Sequence, residues 1–94
     1  MAVTVSIPTA LRQYAGGNAA ISLPSGPIGA ILNALVETHP TLGKQLYNEQ
    51  NQLRSFVNIY VGDEDIRYLQ GLETLVPDGE TVSIIPAIAG GGAV

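Results

Sequence analysis

Side chains that usually carry catalysis are scarce in this chain of 94 residues. It has no cysteine, which removes disulfide frameworks, thiolate metal sites and a thiol nucleophile together. His39, the only histidine, stands directly before Pro40 and reads as a helix end, with no visible triad around it. Asp63-Glu64-Asp65 offers hard oxygen ligands, yet it lacks the spacing of a calcium loop and reads as a solvated hairpin turn. Ser25-Gly26 has no phosphate-loop context, and Ser25 reads as a helix cap. Tyr14, Tyr47, Tyr60 and Tyr68 are scattered and imply no stacking platform. What remains is the chain end, Gly90-Gly91-Gly92-Ala93-Val94. Glycine has wide torsional freedom and no side chain, so such an end suits threading into a narrow channel. A frayed terminus has the same composition. No metal ligand and no catalytic residue is expected.

Composition narrows the classes further. One domain of this length hides roughly 60–65% of its unfolded surface. Its 46% hydrophobic and 13% charged residues argue against disorder. No apolar run reaches about 18 residues, so no membrane span is expected. Met1 to Val5 lacks the basic start of a signal peptide, and the expected location is the cytoplasm. Net charge is −4, with Arg12, Lys44, Arg54 and Arg67 as the only cations. Four dispersed cations make no footprint for a phosphate backbone, so no nucleic-acid partner is expected. A basic protein partner would be attracted by this field, which bears on encounter rates and not on fold.

The elements that must carry the chain end follow from periodicity. Val3, Val5 and Ile7 alternate with polar residues, as Ile21 and Leu23 do after the Gly16-Gly17 turn, which predicts an opening hairpin. Ser25-Gly26-Pro27 is a helix-start signal, followed by Ile28, Ile31, Leu32, Leu35 and Val36 on one stripe. Pro40 ends that helix, and Thr41 to Leu46 reads as a short second one. Phe56 to Val61 is the strongest strand, with a short strand expected at Ile66 to Tyr68. Pro77-Asp78-Gly79-Glu80 is a turn leading into the last strand, Thr81 to Ile85, closed by Pro86. The pattern predicts an α+β domain: one main helix across a mixed sheet of four to five strands, with the first and last strands central. A β-grasp is one plan that fits. Residues 1–86 form the expected domain and 87–94 a flexible tail.

Three stretches resemble the ThiS/MoaD family of ubiquitin-like sulfur carriers. They are Val3 to Pro8, Phe56 to Arg67, and Asp78 to Gly91, the last ending Pro86-Ala87-Ile88-Ala89-Gly90-Gly91. The sequence is most similar to the carrier used in bacterial cysteine biosynthesis. The resemblance implies a β-grasp fold and a protein cosubstrate, not an enzyme, that holds no cofactor itself. It implies an ATP-dependent, E1-like activating enzyme that adenylates a terminal glycine carboxylate, which a sulfur donor then converts to a thiocarboxylate. A sulfur-accepting synthase is the further partner, a PLP-dependent cysteine synthase if the product is cysteine; thiamin and molybdopterin are the other destinations.

Family carriers commonly end at the diglycine, whereas this sequence continues Gly92-Ala93-Val94. The resemblance therefore implies removal of Gly92, Ala93 and Val94 by a peptidase, zinc-dependent in related carriers, with Gly91 as the modified terminus and Gly90, Gly91 and Gly92 as the segment entering partners. Cutting after Gly92 would also leave a glycine carboxylate. Extended, Ala87 to Gly91 would reach about 17 Å from the domain. Two other readings stand beside this one: the small subunit of molybdopterin synthase, and a ubiquitin-like modifier or interaction module. Phe56, Ile59 and Tyr60 are the candidates for an apolar docking surface on the sheet.

Overall fold

The computed structural model describes residues 2–86. The calls on Gly90, Gly91, Gly92, Ala93 and Val94 lie outside the described residues. Strand β1 (Ala2–Ser6) pairs antiparallel with β2 (Ala20–Pro24), so the opening hairpin forms as expected. A 3-10 turn at Thr9–Tyr14 buries Leu11 inside its connection, and Gly16 and Gly17 close it at φ 66° and 81°.

After β2 comes a two-residue strand, β3 (Gly26–Pro27), paired with β6 (Leu75–Val76). This corrects the expectation for Ser25. Helix α1 (Ile28–Thr38) begins after Pro27, and the Ile28 N–H donates to the Thr74 carbonyl at 2.9 Å. That bond satisfies one of the free N–H groups of the first turn, and no side chain caps the helix. Ile28, Ile31, Leu32 and Leu35 are buried as the stripe predicts, while Val36 is only half-buried at its edge. Helix α2 (Pro40–Leu46) follows through His39, with proline in its first turn.

Strand β4 (Val57–Val61) turns through Gly62-Asp63 into β5 (Glu64–Asp65). Here too the structure departs from the expectation, since Ile66–Tyr68 is a 3-10 turn and not a strand. The Asp65 side chain accepts from the Arg67 N–H and bends the chain away from the ladder. A further 3-10 turn, Gly71–Glu73, precedes β6. The last strand, β7 (Thr81–Pro86), lies parallel to β1 and antiparallel to β4. The main sheet therefore has five strands in the order β2-β1-β7-β4-β5, with first and last strands inside it.

Val3, Val5, Ile59, Val82 and Ile84 point from the inner face of this sheet onto Ile31, Leu32 and Leu35. One helix across a five-stranded mixed sheet is the β-grasp arrangement. Among the described residues, no helix is long and apolar enough to cross a membrane.

Candidate functional site

β7 delivers the chain to its end. Its final residues are held by ladder pairing: Pro86 stands opposite Val57 and Ile85 opposite Asn58. Alternation sends Val82 and Ile84 into the core and leaves Ser83 and Ile85 on the outer face. Ile85 is 46% exposed, and Phe56, just ahead of Val57, is 42% exposed. Tyr60 lies half-buried across from Ser83. Ile59, by contrast, is 2% exposed and belongs to the core, so it leaves the docking set. The period of two could have excluded it, because Val57, Ile59 and Val61 share one face and Phe56, Asn58 and Tyr60 the other.

An ion pair that sequence reasoning missed braces this outer face. Asp65 is buried, and its Oδ2 accepts from Arg67 Nη2 at 2.8 Å. Arg67 Nε lies 3.2 Å from both carboxylate oxygens, and its backbone N–H donates to Oδ1 at 2.9 Å. Arg67 Nη2 also donates to Asn58 Oδ1, across the ladder from Ile85. The hydrogen bonds from the Arg67 side chain and backbone, aided by its charge, hold the Asp65 carboxyl below the usual carboxylate range. The only sequence signal was an Asp-x-Arg spacing, which is common on surfaces.

Asp65 also settles the acidic run. Glu64 is exposed and Asp65 is covered by Arg67, so Asp63-Glu64-Asp65 does not converge on a cation. Among the described residues, no group of three potential metal ligands is brought together. His39 joins α1 to α2, its imidazole packed beside Gly16. Beside the same end of β4 lies a groove of about 450 Å³ bordered by Val36, Gly43, Lys44, Tyr47 and Arg54. Burial raises the Tyr47 hydroxyl above its ordinary pKa. A smaller hollow of about 230 Å³ runs under Arg67 along Val57, Ile59 and Ile66. What the described residues provide is a rigid exit for the chain with a mixed apolar and cationic surround, and no constellation for catalysis.

A β-grasp domain whose last strand leads into a glycine-rich end is the architecture of a ubiquitin-like protein. Comparison with known families makes this more specific: residues 5–91 match the ThiS family, and the chain belongs to it. The chain is 43% identical over 93 residues to the sulfur carrier protein CysO of Mycobacterium tuberculosis, covering 97% of this chain and 100% of that one. A chain in the crystal structure of the Amycolatopsis orientalis BexX/CysO complex superposes with a TM-score of 0.84 at 41% identity, covering 94% of this chain and 98% of that one. Small archaeal modifier protein 3 of Haloferax volcanii is 30% identical over 64 residues, 68% of each chain.

Proposed function

We propose that this protein is a sulfur carrier that serves as a cosubstrate of partner enzymes, with the sulfur held at the carboxyl group of Gly91. The observation that carries the reading is the extent of the family match, which runs through Gly90-Gly91 and stops before Gly92. The full-length similarity to a sulfur carrier supports the same role. In this reading residues 1–86 are the recognition domain, and the segment after Pro86 is the substrate.

A peptidase, zinc-dependent by analogy, first removes Gly92, Ala93 and Val94. The Gly91 carboxylate then attacks the α-phosphorus of ATP on an activating enzyme. The bond to pyrophosphate breaks and an acyl adenylate forms. A sulfur nucleophile displaces AMP from the glycine carbonyl and leaves a thiocarboxylate. Activation is required because a free carboxylate is a poor electrophile, while AMP is a good leaving group. The lack of thiols in the chain suits this role, since sulfur is then stored at one place only. The thiocarboxylate is the nucleophile towards an acceptor on a synthase, and cysteine is the favoured product. Ringing the exit strand, Phe56 and Ile85 supply apolar surface for these partners.

Intact-mass analysis of the protein from its own cells tests this directly. A chain ending at Gly91, part of it with sulfur in place of one terminal oxygen, is the expected result. A homogeneous chain ending at Val94 without sulfur would overturn it. The likeness to an archaeal modifier protein favours one second reading, conjugation of the glycine to lysines, which isopeptide-linked species in the same extract would reveal.

A further inference from the structure

We infer that the end of the sheet at which β7 finishes is a cationic docking face, fitted to an acidic protein surface on the enzymes that take up the tail. This deepens the reading under Proposed function and rests on it. The net charge of −4 conceals the arrangement, because the fold sorts the charges along the strands.

The strand register sets the sorting. β7 runs from Thr81 to Pro86, and β4 runs the other way, so the start of β4 and the end of β7 share one pole. β1 is parallel to β7, so the connection after Ser6 also lies at this pole. All of the cations fall in this half. Arg54 accepts from the Val57 N–H through its carbonyl at 2.9 Å, beside the residue opposite Pro86. Its Nη2 donates to the Lys44 carbonyl at 3.2 Å, and both residues border one groove together with Glu49. Arg67 reaches Asn58, opposite Ile85. Arg12 donates through Nε to the Ile7 carbonyl at 3.0 Å, one residue beyond the end of β1. Against these four cations the half holds three carboxylates, Glu37, Glu49 and the Arg67-paired Asp65, so its excess is a single positive charge and the contrast with the opposite pole carries the field.

At the other pole lie Asp63, in the β4–β5 turn, Glu64, the first residue of β5, and Asp78 and Glu80, just before β7. Glu80 approaches to within 3.6 Å of where a side chain on Gly62 would begin, so the two turns stand together. Among the described residues no cation is placed there. Glu73 sits beside the start of α1.

Such a dipole turns an approaching molecule before it touches. An uneven charge distribution that matches the partner's field raises association rates by up to about 10- to 1,000-fold, an effect that falls steeply with salt. An acidic enzyme surface would meet the tail end first and repel the opposite pole. Arg67 is suited to the contact itself, because Asp65 and Asn58 already fix its guanidinium, which limits the ordering still needed to engage a carboxylate. Phe56 and Ile85 add exposed apolar surface at the same pole, with Arg67 beside them on the outer face through Asn58, opposite Ile85.

Two measurements test this. In the first, the full-length protein labelled with nitrogen-15 is titrated with hexaglutamate and hexalysine peptides at about 20 mM salt, where the screening length is roughly 20 Å. Hexaglutamate is expected to shift amides around Lys44, Arg54 and Arg67, and hexalysine those around Asp63, Asp78 and Glu80. Hexaglutamate shifts that are absent or spread over both poles would overturn the docking face. In the second, the chain ending at Gly91 is adenylated by the ATP-dependent activating enzyme of the same cells. Lys44→Glu, alone and with Arg54→Glu, is expected to lower kcat/KM about tenfold at low salt for the pair, shrinking to about twofold at high salt. Asp63→Lys with Glu64→Lys is expected to change it less than twofold. Equal losses from the two poles, or a loss confined to the acidic one, would overturn the acidic-partner assignment. If the wild-type chain ending at Gly91 is not adenylated, the carrier reading itself fails, and the docking face is then judged on the titration alone.

Discussion

Asp65 holds Arg67 twice over, through its backbone N–H at 2.9 Å and through its guanidinium at 2.8 Å, the two residues being two positions apart in the chain. The first bond ends β5 and starts the 3-10 turn. The second aims the guanidinium at Asn58 on the outer face.

This relationship predicts an acid dependence of stability. With Arg67 bonded to it, folded Asp65 titrates below the ordinary value of about 3.9 that it has when unfolded. Its contribution is thus fully present above that value and is lost as pH falls through the lower, folded pKa. Urea midpoints from pH 7 down to 2 are expected to show Asp65→Asn well below wild type near neutrality, with the difference closing in acid. A constant difference across the series would mean that the ion pair contributes nothing through titration.

Gly43 is expected to tolerate no side chain. A Cβ there would stand 2.7 Å from Val36 Cγ1, where α2 crosses α1. Valine in a helix has essentially one χ1 rotamer and gives way poorly. Overpacking of this kind costs about 1–3 kcal/mol, against roughly 1 kcal/mol regained from alanine's helix propensity. Gly43→Ala is therefore expected to lower Tm by several degrees, with Val36→Ala on the same chain recovering part of the loss. A rise in Tm for the single variant would show that the helices separate without strain.

Leu32 has no exposed surface and lies at the centre of the α1 stripe. Leu32→Ala is expected to cost about 2–5 kcal/mol in chemical denaturation. A loss well under 1 kcal/mol would place the core elsewhere.

Gly91→Val puts a β-branched side chain at the terminus to be adenylated. Made in a chain ending at residue 91, it is expected to abolish pyrophosphate release from ATP, read against a chain ending in Gly91. The two chains are expected to share the same Tm within about a degree. Undiminished turnover would remove Gly91 from the proposed chemistry.

The elements were legible where neighbours along the chain sufficed. Val3, Val5 and Ile7 announced a half-buried strand by alternation, and Ile28, Ile31, Leu32 and Leu35 announced a helix face. The glycine-rich end and the stretches from Phe56 and Asp78 pointed to the family to which the chain belongs. Reading failed where a specific hydrogen bond, distant in one case and local in the other, overrides what composition and period suggest. Ser25 has the right type for a cap, but β3 pairs with β6 and the Thr74 carbonyl takes the first helical N–H. Ile66 to Tyr68 has strand composition, but the Asp65 carboxylate captures the Arg67 N–H and curls it.

What the sequence by itself determined was the inventory: which residues are apolar and at what period, where the chain turns, the absence of thiols, and the glycines that close it. These depend on local covalent geometry and on the pattern of neighbours. Only the tertiary structure decided how the inventory is distributed in space. Arg12, Lys44, Arg54 and Arg67 are scattered along the chain, and one number of −4 is all that their count yields. The pairing of β1 and β4 with β7, together with the hydrogen bonds of Arg12 to Ile7, Arg54 to Lys44 and Arg67 to Asn58, brings them to the half that ends at Pro86. The physical reason is that a field depends on the positions of charges, and those are set by strand register between segments far apart in sequence.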